Sequence, residues 1–278
     1  IDTAVSADFV TWWALSTVKT AVKEIRLKGD ILTASVLWMT LPIEKSNEVL
    51  ANYGEVVCRY FVNLHEITSH VVKQETLQSD NYRNLLVSQA QDMRVVLLLI
   101  ADSVSKMRNA KMVSDEDVVK KWAMEAGSLY APLAHKLGLY QLKSELEDLS
   151  LKYLESDAYY YIRQRLNETK KSRDTYIANF IAPIRSMLES ENIKCHIKGR
   201  TKSIHSIWQK MKKQHCDFDG VYDLFAIRII VDAPSHKEKE LCWKVFSLIT
   251  SKYESNLKRL RDWITVPKTN GYESLHIT

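Results

Sequence analysis

Turn-forming residues are scarce in this chain: seven glycines and five prolines serve 278 residues, about a third of the roughly 12% share usual for the two types together. A many-stranded sandwich or barrel needs a tight turn roughly every 8–12 residues and draws on both types to make them. Long helices need far fewer. The chain is therefore expected to be mostly helical.

The apolar spacing supports this from Ala7 to about Glu191. Phe9, Trp12, Trp13, Ser16 and Thr20 begin one helical face, Gly29–Asp30 interrupts it, and Asp30 is placed to cap a helix from Ile31 to Leu41 that Pro42 stops. Asn81 to Arg108 reads as one long buried helix around the run Val95–Ile100. Ser114–Asp117 supplies a cap and an acidic first turn for the helix through Trp122, and Pro132 and Gly138 punctuate the next segment. The tryptophans at 12, 13, 38 and 122 are expected in the core. Arg163 to Glu191 is charged and reads as a connecting helix.

After Asn192 the period changes to two. Ile193, Cys195 and Ile197 alternate with Lys194, His196 and Lys198, which predicts a strand. A short helix is expected over Thr201–Gln214, a central strand over Val221–Val231, a helix over Lys237–Lys252 and a strand over Trp263–Val266. The fold class is α + α/β, with a helical bundle at 1–165, a connecting helix at 166–191 and a mixed α/β domain at 192–278.

No stretch of 18 apolar residues marks a membrane span, and no signal-peptide pattern opens the chain. Cys58, Cys195, Cys216 and Cys242 form no Cys-x-x-Cys pair and read as free thiols of a cytoplasmic protein. Ile1 in place of methionine reads as a start inside a longer protein. The net charge of +5 is uneven: residues 192–278 carry 16 Lys+Arg against 9 Asp+Glu, whereas the first 191 carry 23 against 25. That surplus has the sign for a phosphate-bearing partner. No recognition-helix motif accompanies it, so DNA is not the expected partner.

Two motifs mislead. His65 and His70 are spaced i, i+5, which sets them about 140° apart on a helix, so a zinc site is excluded in favour of a surface or capping role. Gly199-Arg200-Thr201-Lys202-Ser203 lacks the upstream glycine and the Gly-Lys pair of a Walker loop.

Three segments carry chemistry together. Lys198–Ser206 passes from strand to helix with cations and hydroxyls around a helix start, a ready anion site. Tyr222–Arg228 sets Asp223 at the head of an apolar strand, where a carboxylate is costly unless it is paired or holds a cation. Arg259–Trp263 and Pro267–His276 contribute a basic stretch, an Asn270–Gly271 turn, the Tyr272 ring for stacking and His276 as a donor. Jointly they describe a site for two nucleotides and a metal.

These residues resemble the N-terminal catalytic region of the long RelA/SpoT homologues, the (p)ppGpp synthetase/hydrolase family, over nearly the whole chain. Lys198–Ser206 resembles the family's Gly-Arg-x-Lys-x-Ile-x-Ser segment, Tyr222–Arg228 its Tyr-Asp-Leu-x-Ala-x-Arg strand, and Pro267–His276 its Pro-Lys-x-Asn-Gly-Tyr-x-Ser-Leu-His segment. Leu129–Gly138 and Leu142–Asp148 match in the bundle. The resemblance implies transfer of pyrophosphate from ATP to the ribose 3′-hydroxyl of GDP or GTP, releasing AMP. Arg200, Lys202, Ser206 and Arg228 would bind ATP, with Arg200, Lys202 and Asp223 catalytic and Asp223 holding Mg²⁺. Lys268, Asn270, Tyr272, His276 and Arg261 would bind the acceptor. Arg259-Leu260-Arg261-Asp262 resembles the basic form of a family motif typical of bifunctional members.

The hydrolase half departs from the family pattern. Its HD-type metal ligands align with Ala14, Trp38 and Met39, and its catalytic Glu-Asp with Pro42–Ile43, leaving only Asp102. One carboxylate does not hold a catalytic Mn²⁺. The family's Glu-x-Gln-Ile-Arg strand is expected beyond Thr278, as is any region that touches the ribosome. The expectation is a synthetase with an inactive hydrolase half; the alternative is a nucleotide-binding regulatory module without turnover.

Overall fold

Asp92 divides the run from Asn81 to Arg108 into two helices. Its side chain accepts a hydrogen bond from the Arg94 N–H and so starts a new helix where the apolar spacing suggested a continuous one. The computed structural model describes residues 7–69, 80–221, 224–269 and 271–278, with residues 7–9, 80, 82, 173 and 200 described by their backbone alone. The chain divides into two compact units, Ile1–Tyr159 and Tyr160–Thr278.

The first unit is helical throughout its described residues. It comprises α1 (Ala7–Thr20), α2 (Asp30–Thr40), α3 (Ser46–Ser69), α4 (Asp80–Gln89), α5 (Met93–Asn109), α6 (Glu116–Glu125), α7 (Ala131–Lys136) and α8 (Tyr140–Leu154). Asp30 is the first residue of α2 rather than its cap; Gly29 precedes it with a positive φ of 77°. Asp115 caps α6 by accepting from the N–H groups of Asp117 and Val118. Helix α5 is the axis of the bundle: α1 and α8 pack on it, and Val95, Val96, Leu98, Leu99, Ile100 and Ala101 have no solvent exposure. Trp38 joins this core, whereas Trp12 is 54% exposed on the outer face of α1, against expectation.

The second unit begins in α9 (Ser156–Glu168), which is separated from α10 (Lys170–Ser190) at Thr169, so the expected single connecting helix is two. Strand β1 (Cys195–Thr201) runs antiparallel to β2 (Phe225–Val231), with α11 (Ile204–Gln214) between them; α12 (Glu238–Lys252), β3 (Arg261–Asp262) and β4 (Leu275–His276) follow. Ile197, Ile229 and Val231 pack on Ile184, Leu188 and Val245 of α10 and α12. The opposite face of β2 is exposed at Ala226, Arg228 and Ile230, so among the described residues this is a half-covered ribbon rather than a central strand. The expected strand at Trp263–Val266 is a turn, because the Asp262 carboxylate accepts from the N–H groups of Ile264 and Thr265 and folds the backbone back. Helices beside short antiparallel sheets realise the α + α/β class. No described helix is long and apolar enough to cross a membrane.

Candidate nucleotide site and the buried Asp102 cluster

The first anion-binding segment is held by both of its ends. Lys202 donates its N–H to the Leu224 carbonyl, extending the β1–β2 ladder by one bond. Ser203 then caps α11, accepting from the Ser206 N–H at 3.3 Å while the two hydroxyls lie 2.8 Å apart. The Ser206 side chain thereby stabilises the cap as well as lining the helix start. Gly199 is required for a local reason: a Cβ there would stand 2.7 Å from Ile177 Cγ2 on α10. Arg228 lies on the same ribbon, exposed, across from Lys198. Asp223 and Asn270 lie outside the described residues, as does the Arg200 side chain.

The acceptor-side segment folds into a small cluster of its own. Arg261 and His276 are cross-strand partners in the β3–β4 pair. The Gly271 N–H donates to the Lys268 carbonyl and the Lys268 N–H to the Tyr272 carbonyl, closing the turn at the expected place; Gly271 has a φ of 75°. The Tyr272 hydroxyl and His276 Nε2 share a hydrogen bond at 2.9 Å. The Lys268 ammonium stands 4.8 Å from the centre of the Trp263 ring and 5.4 Å from that of Tyr272. Trp263, the last residue of the basic stretch, joins the cluster through that contact.

His276 belongs to the acceptor-side cluster through Tyr272 and Arg261. Crowding by its neighbours first, then the charges of Lys268 and Arg228, hold its ring below the ordinary histidine range although its edge meets solvent. Arg228 belongs to the donor segment and Lys268 to the acceptor segment.

The first unit holds a different arrangement. Ala14, Trp38 and Met39 are buried apolar groups. Asp102 is buried too, and both of its oxygens are engaged: Trp13 Nε1 donates to Oδ1 at 2.6 Å, and Lys106 Nζ lies 2.9 Å from Oδ2. Lys106 also stands 4.7 Å from the Trp13 ring centre and 5.7 Å from that of Trp122. Trp13 meets Trp38 edge-on at 6.4 Å. Burial pushes the nearby Glu125 carboxyl up, Lys106 and Lys121 oppose that, and Asp102 adds to it. Among the described residues no three His, Cys, Asp or Glu side chains converge as metal ligands. Lys106 and Trp13 were missed from sequence, although Asp102-x-x-x-Lys106 is an i, i+4 pair that could have pointed to them. His65 is half-buried, edge-on to Phe61, with Nε2 3.1 Å from the Leu41 carbonyl; His70 lies outside the described residues.

Comparison with known proteins agrees with both units. A family model described as the region found in RelA/SpoT proteins matches residues 199–278. One described as an HD domain matches residues 12–140. The chain is 38% identical over 208 residues to a GTP pyrophosphokinase of Myxococcus xanthus, covering 74% of this chain and 27% of that protein. It is 33% identical over an alignment of 282 residues to the GTP pyrophosphokinase of Escherichia coli K12, covering 97% and 37%. It is also 32% identical over 258 residues to a guanosine-3′,5′-bis(diphosphate) 3′-pyrophosphohydrolase of Aquifex aeolicus, covering 92% and 36%. The chain thus spans between about a quarter and just over a third of the length of these relatives. An HD-type helical unit followed by a RelA/SpoT region in one chain places this protein in the RelA/SpoT family.

Proposed function

We propose that this chain is the catalytic part of a (p)ppGpp synthetase, which transfers pyrophosphate from ATP to the 3′-hydroxyl of GDP or GTP and releases AMP. The observation that carries the reading is that one unit builds both segments: the Ser203-capped start of α11 after β1, and the Lys268–Tyr272–His276 cluster. Two relatives named GTP pyrophosphokinase support it.

Pyrophosphoryl transfer asks a protein mainly to position charged groups and neutralise them. Arg200, Lys202 and Arg228 serve the polyphosphate of ATP, with the Ser203–Ser206 cap fixing the helix start beside it. Tyr272 offers its ring to guanine, while Arg261, Lys268, Asn270 and His276 hold the acceptor. Mg²⁺ is bound in such sites through one or two carboxylates plus substrate phosphates, so a single Asp223 fits that ion without a cage of protein ligands. When bound, it supplies neutralisation of the phosphate charge.

The first unit, in the same reading, does not hydrolyse the product. Asp102 already spends both oxygens on Trp13 and Lys106, and Ala14, Trp38 and Met39 offer no hard ligand. The donor set does not fit Mn²⁺. Incubation with (p)ppGpp and Mn²⁺ tests it.

The test is incubation with ATP, Mg²⁺ and GDP or GTP. AMP and a 3′-pyrophosphorylated guanosine nucleotide are expected in equal amounts, and Asp223→Asn is expected to lose both while keeping its circular dichroism. Nucleotide binding with no product in the parent protein would favour the regulatory-module reading. Full synthesis in Asp223→Asn would overturn the metal assignment.

A further inference from the structure

Helix α9 grips the turn ahead of β2 on both sides of a buried ring. The turn spans Phe218–Gly220 and is closed by the Gly220 N–H, which donates to the Asp217 carbonyl, and the Val221 N–H, which donates to that of Phe218. Phe218 and Val221 are buried against Ile162 of α9 and Ile207 of α11. An acid stands on each side of the ring. The Tyr161 hydroxyl donates to Asp217 Oδ1 at 2.7 Å, and Arg165 Nη2 donates to both oxygens of Asp219, at 2.6 and 2.7 Å. The same guanidinium stands 5.5 Å from the centre of the Phe218 ring, and its Nη1 reaches Glu168 of α9 at 3.3 Å.

These polar contacts add little to stability. The Asp219 side chain is 74% exposed and that of Arg165 31%, and a pair so open to water is largely screened. What they fix is orientation. A buried ring alone is a pivot about which a turn can rock, and a contact on each side of the pivot leaves it one setting. The turn ends at the buried Val221, and at Leu224 the chain joins the anion segment, because the Leu224 carbonyl accepts from the Lys202 N–H. In sequence Asp223 lies between these two anchored residues.

We propose that Tyr161 and Arg165 are positioning residues for synthesis, which hold the Phe218–Gly220 turn in the one orientation that sets Asp223 for its metal. The inference rests on the synthetase reading above and adds to it two residues which that reading left without a role. An arginine suits the task because its planar fork fixes both the distance and the direction of a carboxylate, whereas an ammonium fixes only the distance. Catalysis is sensitive to such settings, since a misplacement of about 1 Å can cost on the order of 100-fold in rate. The apolar face of α9 supports the same arrangement: Ile162 and Leu166 pack in one cluster with residues of α11, the helix that the anion segment opens.

The experiment follows synthesis by the parent protein from ATP and GDP as a function of Mg²⁺, for the wild type, Arg165→Gln, Tyr161→Phe, Asp219→Arg and the charge-swapped pair Arg165→Glu with Asp219→Arg. Melting temperatures are measured alongside. Arg165→Gln is expected to lower kcat roughly 5- to 50-fold and to raise the Mg²⁺ concentration for half-maximal rate. The KM values for both nucleotides should stay within about twofold, and the melting temperature within about 3 °C, as for an exposed ion pair. Tyr161→Phe should move kcat and the Mg²⁺ midpoint in the same direction, and the swapped pair should recover most of what Asp219→Arg alone loses. Unchanged kcat and Mg²⁺ midpoint in Arg165→Gln and Tyr161→Phe would overturn the proposal. So would losses that track both KM values and a lower melting temperature, which would mean a structural role only. A swapped pair no better than Asp219→Arg alone would overturn the assignment to this ion pair. Absence of synthesis in the wild-type parent would instead remove the synthetase reading, and the proposal with it.

Discussion

Lys106 follows Asp102 by one turn of α5 and sets its ammonium 2.9 Å from the carboxylate that the family resemblance marks as the surviving metal ligand. The aspartate side chain is 4% exposed and the lysine side chain 22%. The pair is therefore largely shielded from water, and its second oxygen is satisfied by the Trp13 indole. A buried carboxylate of this kind is tolerable only while its partners stay in place.

Removing the cation should expose that dependence. Lys106→Met is expected to destabilise the first unit by about 3 kcal/mol, the lower end of what breaking a buried pair costs, because the lysine retains some contact with solvent. Lys106→Met combined with Asp102→Asn should recover most of it. Urea unfolding followed by tryptophan fluorescence measures both, and a single-variant loss below about 0.5 kcal/mol would show that water screens the pair.

The same geometry predicts no release of pyrophosphate from (p)ppGpp in excess Mn²⁺. Nor should Mn²⁺ shift the melting temperature of the first unit, since a metal that binds the folded state must raise it. Sustained release that disappears in Asp102→Ala would mean that the hydrolytic site has moved rather than gone.

Tyr272→Ala should weaken guanosine nucleotides by roughly 1–3 kcal/mol, the usual worth of base–aromatic stacking. ATP binding should barely change. Tyr272→Phe keeps the ring and loses only the hydroxyl shared with His276, so it separates stacking from the hydrogen bond. Equal losses for both nucleotides in Tyr272→Ala would place the ring elsewhere in the mechanism.

His276 gives the second unit a pH dependence of defined sign. Its ring binds a proton less readily folded than unfolded. Its contribution is therefore fully present above the ordinary value of about 6.5 and is lost as pH falls through the lower, folded value. Lys268→Met should raise the folded value and soften that loss. An NMR titration of the imidazole reads it directly, and an inflection at or above the free-histidine value would contradict the arrangement.

Gly199→Ala tests why the anion segment begins with glycine. The new methyl group would meet Ile177 at 2.7 Å, so α10 and β1 must separate locally. A cost of about 1–3 kcal/mol is expected. Ile177→Val or Ile177→Ala in the same background should return part of it, and no effect in Gly199→Ala would show that the helix yields freely.

The period of the apolar residues and the scarcity of turn residues were enough to read two kinds of architecture in this chain, because helices and half-buried strands stamp their periods on the sequence. Their boundaries were less legible where one polar side chain decides them. Asp92 splits a helix and Asp262 replaces a strand by a turn, each by taking hydrogen bonds from backbone N–H groups that the period alone assigns to something else. The site's phosphate and acceptor segments were visible as motifs. The Lys268–Trp263 contact and the Tyr272–His276 hydrogen bond were not, because they depend on where the turn after Pro267 places these side chains. Likewise Trp13 reads as plain core until its indole is seen to donate to Asp102 across 89 residues of sequence.

A counter-ion encoded in the polypeptide is delivered by translation, always at full occupancy, and no chelator removes it. It also occupies the carboxylate against any competing ion. Trp38→His alone would bring an imidazole to the Trp13–Lys106 stack and take an indole from the core, so it should lower the melting temperature and still bind no Mn²⁺. Ala14 and Met39 would still offer no hard ligand, and Lys106 would still hold the Asp102 oxygen that an ion needs. In the proposed reading the ammonium on Asp102 stands where an ion would need that oxygen, and the first unit serves as a scaffold with the outline of an HD domain.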